Sequence, residues 1–167
     1  MVLDAYAQVT GVPTAFTQIQ VGSSGGQAGT GAYPPGTRAL QLPDTQVISQ
    51  FLDAFGRPER NQTCSCERQE DSSVGQALHL NNGKTLNDKL RSPKGRIQQW
   101  LDTKVADAEA VRRVFLLALS REPTAAERRR LLDLMAEAAR DPQATRREVL
   151  EDLFWGVLTG REFLFNH

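Results

Sequence analysis

The stretch FGRPERNQTCSCERQEDSSVGQALHLNNG, residues 55–83, holds both cysteines of the chain, one of its two histidines and three arginines. Cys64 and Cys66 are separated by one residue, which is too close for an ordinary disulfide, because so small a ring strains the bond geometry. Two thiolates supply half of a zinc site. The other half would fall to His79 or His167, and neither stands at a standard ligand spacing. A c-type haem needs Cys-x-x-Cys-His, which the sequence lacks. Three readings of the pair stay open: structural or inert cysteines, a redox or metal role, and bonding to another chain. The adopted expectation is the first, with no metal and no cofactor.

The neighbouring guanidiniums bear on that choice. Arg57, Arg60 and Arg68 raise the local positive potential, which disfavours a dication but lowers thiol pKa values and so keeps redox chemistry possible. Arg57 precedes Pro58 in a segment that must turn. Arginines there tie down carbonyls or carboxylates such as Glu59, Glu67, Glu70 or Asp71, or else build an anion site with the helix that starts near residues 72–74. His79, between Leu78 and Leu80, reads as a core histidine rather than a base or ligand. If the chain has a local site, its residues are Arg57, Arg60, Cys64, Cys66, Glu67, Arg68 and His79. The preferred reading of 55–83 is a structural junction. Phosphate loops, Gly-x-Ser-x-Gly, HExxH and a Gly-x-Gly-x-x-Gly turn are all missing from the sequence. The Gly-rich run at 22–31 has neither the lysine nor the strand–helix setting of a phosphate cradle and is expected to be plain loop.

The elements that would position these residues follow from the pattern of apolar side chains. Val2, Leu3, Tyr6 and Val9 recur at helical spacing, stopped by Gly11 and Pro13. This opening reads as a helix entered midway, in a piece of a longer chain. Residues 15–21 alternate as a strand does, and 37–43 form a second extended piece that could pair with them as a hairpin. Asp44 is expected to cap a helix bearing Val47, Ile48, Phe51, Leu52 and Phe55. Ser73 and Gln76 have capping-box spacing for another. Leu86 with Leu90, then Ile97 with Trp100 and Leu101, mark two short helices. The basic run at 84–96 is expected to be a solvated face. Asp107, the Thr124–Glu127 box and Asp141-Pro142 should open three antiparallel helices, with Phe115, Leu119, Leu131, Met135, Leu153 and Phe154 buried together. Leu134 belongs to the same expected stripe, and Phe163 and Phe165 make the tail too apolar to hang loose.

The chain has 167 residues, 40% of them hydrophobic, and 20 basic against 20 acidic side chains. That is enough apolar material for a core without staples. The balanced charge argues against a nucleic-acid binder. No run is long and apolar enough to span a membrane, and the start is not a signal peptide.

The runs VTGVP, GTRALQLPD, FLDAFGRPERNQTCSCERQEDSSVGQALHLNNG, ALSREPTAAE and EDLFWGVLTGREFLFNH together resemble the C-terminal planctomycete-specific domain of unknown function. Larger members carry it after a second planctomycete-specific domain, and often after a cytochrome-c-like domain. The resemblance implies the C-terminal part of a large exported bacterial protein, periplasmic or otherwise extracytoplasmic, with His167 near the natural terminus. It assigns no activity, catalytic residue or cofactor. Any haem would belong to the separate cytochrome part.

The expected fold is mainly α: a helical bundle with a small N-terminal extended or β-hairpin element. One domain is expected over 1–167, made of a helix and extended segment (1–43), a helical junction (44–106) and a three-helix bundle (107–167). The expected function is a non-catalytic structural or interaction module that docks to other domains of its own chain or to a protein partner. The alternative is a redox or enzymatic site built on Cys64, Cys66, Arg57, Arg60 and Arg68 and completed by other regions of the full-length chain.

Overall fold

A computed structural model describes residues 2–20, 29–42, 47–55, 76, 80 and 83–165. The architecture is mainly α, as expected. Helix α1 (Val2–Thr10) opens the chain and buries Leu3, Tyr6, Val9 and Thr10. Its stop is built from three parts. The Thr10 hydroxyl donates back to the Tyr6 carbonyl at 2.6 Å. Gly11 adopts φ +71°, a left-handed turn that costs other residues a Cβ clash. The Arg96 guanidinium then covers the Gln8 and Val9 carbonyls left over at the helix end, and Lys89 holds the Val12 carbonyl just beyond it.

A small antiparallel sheet follows, in the order β2-β1-β3. Strand β1 (Thr17–Gln20) pairs with β2 (Gly29–Ala32) and with β3 (Val47–Ile48). The register sets Thr17 opposite Ala32 on one side and opposite Ile48 on the other. This corrects the expected hairpin. The partner of the first strand lies inside the glycine-rich run, which is therefore not all loop. Residues 37–43 are not extended throughout: Ala39–Gln41 is a single 3-10 turn. The reason is tertiary. Asp4 accepts the amide hydrogens of Ala39 at 2.7 Å and of Leu40 at 3.3 Å, so these donors serve α1 rather than a strand ladder.

Val47 and Ile48 were expected on a helix. They form β3 instead, with Val47 buried and Ile48 outside. Helix α2 (Gln50–Ala54) begins two residues later, capped by Ser49, whose Oγ accepts from the Leu52 amide. Asp44 lies outside the described residues. Helices α3 (Lys84–Arg91) and α4 (Arg96–Asp102) bury Leu86, Leu90, Ile97 and Trp100, as their spacing requires. Gly95 joins them. A Cβ there would sit 3.1 Å from Val12 Cγ2 and 3.3 Å from the Ser92 carbonyl, so a side chain at this position would press on the chain after α1 by a few tenths of an ångström.

The C-terminal part holds α5 (Asp107–Leu119), α6 (Ala125–Ala138), α7 (Arg146–Leu158) and the short α8 (Arg161–Phe165). Helices α5, α6 and α7 pack pairwise, and α7 also packs against α3 and α4. Two expected starts shift. Ala106, not Asp107, is the N-cap of α5. Helix α7 opens not at Asp141-Pro142 but at a Thr145–Glu148 capping box, while Asp141 organises the preceding turn by accepting the Gln143 amide at 2.9 Å. The Thr124–Glu127 box opens α6 as read. Of the residues expected to be buried together, Phe115, Met135, Leu153 and Phe154 are buried, and Leu119 and Leu131 are partly so. Leu134 faces outward at 51% exposure, and Phe165 at 79%, whereas Phe163 is fully buried.

The core runs through both halves of the chain. Trp100 meets Phe154 with ring centroids 5.0 Å apart, and Tyr6 stacks on Phe163 at 5.6 Å. The first and last helices therefore close the same apolar interior.

Candidate functional site

Arg57, Arg60, Cys64, Cys66, Glu67, Arg68, His79 and His167 all lie outside the described residues. Their immediate flanks are described. Phe55, which ends α2, stacks on Phe51 at 4.5 Å. The Gln76 side chain donates to the Ala54 carbonyl at 3.0 Å, and Leu80 packs against the core. The two borders of the 56–75 stretch are thus within hydrogen-bonding reach of each other. Among the described residues, no group of three or more His, Cys, Asp or Glu could hold a metal ion.

Among the described residues, the polar side chains concentrate in two places. The first is the end of α1. Lys89, only 6% exposed, donates to the Val12 carbonyl at 2.7 Å. Arg96 donates through Nε to the Val9 carbonyl at 2.9 Å and through Nη2 to Gln8 at 3.2 Å. Cations suit a helix C-terminus because the unpaired carbonyls carry partial negative charge. Burial pushes the Lys89 amine down to about 8, against a smaller upward pull from Asp4. This corrects the expected solvated face over 84–96 at Lys89 and in part at Arg96, whereas Lys84, Arg91 and Lys94 are exposed as expected. Lys89 stands three residues after Leu86 and directly before Leu90, so helical spacing alone puts it on the buried side. That signal was present in the sequence.

The second concentration is Arg121, in the turn after α5. It donates to both oxygens of Glu127 (2.9 and 2.8 Å) and to both oxygens of Glu162 (2.6 Å each). Its guanidinium also lies 5.2 Å from the Phe115 ring centroid. Forked pairing of this kind adds geometric specificity to charge. The Arg121 bonds and the Thr124 backbone amide hold the Glu127 carboxyl down to about 2, and Arg121 likewise lowers Glu162. The cluster ties the start of α6 to α8. Glu127 could be read from its capping box, but Glu162, distant in sequence, could not be paired with Arg121 without the fold.

Among the described residues, two buried hydroxyls have no partner, Tyr6 Oη and Thr14 Oγ1. Burial raises Tyr6 to about 12. Among the described residues, two open grooves of about 490 Å³ each mark the surface. One runs along the outer side of α1, past Asp4, Gln8, Thr14, Arg38 and Leu40. The Thr14 oxygen is shielded from solvent even there. The other is lined by Pro123, Ala125, Arg128, Arg129, Leu132 and Asp133. In neither groove do the described residues set a nucleophile beside a base. Their strongest polar contacts are spent on helix ends and helix pairs.

The fold and these contacts define a mainly helical domain whose described polar clusters fasten its elements together. The chain belongs to the family described as PSD1, a protein of unknown function (DUF1553), whose family model matches residues 11–135. No curated protein and no solved structure matches it. The matched span leaves out α1, α7 and α8, which nonetheless supply Leu3, Tyr6, Phe154, Leu158 and Phe163 to the core. No helix among the described residues is long and apolar enough to cross a membrane.

Proposed function

We propose that this chain is a non-catalytic structural or interaction module, forming one domain over residues 1–167 at the C-terminal end of a larger, exported, multidomain bacterial protein of planctomycete type. Its partners would be other domains of the same polypeptide or a separate protein. The observation that carries this reading is the use made of the polar side chains. Asp4, Lys89, Arg96, Arg121, Glu127 and Glu162, the groups with the most developed contacts, each bind a helix end or join two elements. A catalytic centre instead turns such groups toward a cavity where a reacting atom sits. The export part of the proposal rests on the family resemblance of the sequence, and it would expose Cys64 and Cys66 to an oxidising compartment.

Elemental analysis and thiol titration of the purified chain test the reading. The expected result is no stoichiometric metal and two slowly reacting groups. Stoichiometric zinc or iron that disappears on Cys64→Ser and Cys66→Ser would replace the module with a metal or redox site.

A further inference from the structure

Helix α6 is the least buried long helix of the described fold. It carries Leu131, Leu132, Leu134 and Met135, yet of its 14 residues only Met135 is buried. Helix α7, with 13 residues, buries five. The charges divide in the same way. Elsewhere in the bundle several arginines sit close against carboxylates: Arg112 with Glu122, Arg113 with Glu109 and Arg146 with Asp107. On α6, Arg128 and Arg130 have no carboxylate partner among the described residues. Arg129 reaches Asp133 only at 4.0 Å, with both side chains largely in solvent. Helical spacing sets Ala125, Arg128, Arg129 and Leu132 on one flank. There they line, with Pro123, the groove of about 490 Å³.

We propose that this groove is a docking surface for an acidic, leucine-bearing segment of a partner polypeptide. The proposal rests on the interaction-module reading and names its surface. Leu132, Ala125 and Pro123 offer an apolar floor for an aliphatic side chain, and Arg128 and Arg129 offer forked donors to carboxylates on either side of it. Arg128, without a carboxylate partner among the described residues, and Arg129, held only loosely by Asp133, flank the apolar floor and complement such a segment in both charge and shape. A polyphosphate fits less well. The apolar floor has no use for a sugar–phosphate backbone, which carries no aliphatic side chain to bury there.

The probe is an amidated peptide repeating Glu-Leu-Leu-Glu, titrated into the intact chain and followed through side-chain methyl NMR signals. Saturable shifts are expected at Leu132 and Ala125, weakening several-fold when salt is raised from about 0.05 to 0.5 M. The exposed pair Arg128→Glu/Arg129→Glu should weaken binding at least tenfold while leaving the circular dichroism spectrum unchanged. Leu132→Ala should weaken it as well. A Lys-Leu-Leu-Lys peptide should not shift these signals. The proposal is overturned if Leu132 does not move, or if charge reversal leaves binding intact. Tighter binding of a single-stranded oligonucleotide, or shifts that follow protein concentration without peptide, would also overturn it. Shifts confined to another face would sink this surface while sparing the module reading, which the metal and thiol measurements test separately.

Discussion

Helices α1 and α6 are fastened to the same molecule in opposite ways. The nine residues of α1 bury four side chains, and its polar anchors, Lys89 and Arg96, reach backbone carbonyls in a partly buried seam. The fourteen residues of α6 bury one, and its anchor is an accessible Arg121–Glu127 pair joined to a capping box. Length and helix propensity favour α6, yet α1 is the better rooted. Tertiary burial supplies most helix stability in proteins. Burial also changes what a charge does. At the end of α1 it makes a cation costly to hold, while beside α6 solvent screens the pair and its worth falls.

The largest effect that could break this contrast is a matched truncation. Leu3, fully buried in α1, should cost about 2–5 kcal/mol on Leu3→Ala, through lost transfer free energy and the cavity left behind. Leu134→Ala, on α6 at 51% exposure, should stay within about 0.5 kcal/mol. Urea denaturation of both variants reads the difference directly. Equal losses would mean that α1 is no better anchored than α6.

The second effect concerns the buried amine. Lys89 titrates near 8 in the fold, against 10.5 for a free side chain. Between those values the unfolded chain binds more protons, so stability rises with pH. Below pH 8 the cost of burying the cation is fully present, up to about 3 kcal/mol from the shift alone, and it is relieved as pH climbs toward 10.5. The bond to the Val12 carbonyl offsets part of it. Lys89→Met should therefore flatten the rise in denaturation midpoint over that window. A variant that tracks the parent at every pH would show that Lys89 is not desolvated.

These contrasts were unevenly legible in the sequence. The Thr124–Glu127 box was readable because capping is local, and the neighbouring Thr145–Glu148 box has the same pattern. The start of α7 was nonetheless expected at Asp141-Pro142, four residues before the box that opens it. Strand β2 was not readable. Gly29, Thr30, Gly31 and Ala32 have loop composition, and their pairing with β1 is imposed by the fold. The 3-10 turn at Ala39 is hidden for the same reason, since its Asp4 partner lies 35 residues away. The candidate cluster of cysteines and arginines was conspicuous by residue type alone. The polar contacts at α1 and Arg121 were not, because carbonyl acceptors carry no residue-type signal and Glu162 is remote in sequence.

A third test acts on α1 alone and should be smaller. Tyr6 packs its ring on Phe163 and edge-on to Phe51, but its buried hydroxyl has no partner. An unsatisfied buried hydroxyl costs about 1–3 kcal/mol, and Phe keeps the ring contacts without it. Tyr6→Phe should therefore stabilise the fold by roughly 1 kcal/mol. A loss of stability in thermal unfolding would reveal a hydrogen bond to solvent at that oxygen and make the α1 seam wetter than it reads here.

The smallest effect lies at the start of α6. Thr124 Oγ1 accepts the Glu127 amide at 3.2 Å, and the Glu127 carboxylate accepts the Thr124 amide at 2.7 Å. Removing an N-cap hydroxyl costs about 0.5–2 kcal/mol. Here the lower end is expected, about 0.5–1 kcal/mol, because Glu127 stays gripped by Arg121 and still reaches the Thr124 backbone after Thr124→Ala. The loss should be local. Amide exchange should quicken in the first turn of α6 while the buried amides of α1 keep their rates, since few contacts carry fraying of an outer helix into the core. If exchange quickens equally in α1, the two helices unfold as one unit, and the difference in anchoring does not extend to their dynamics.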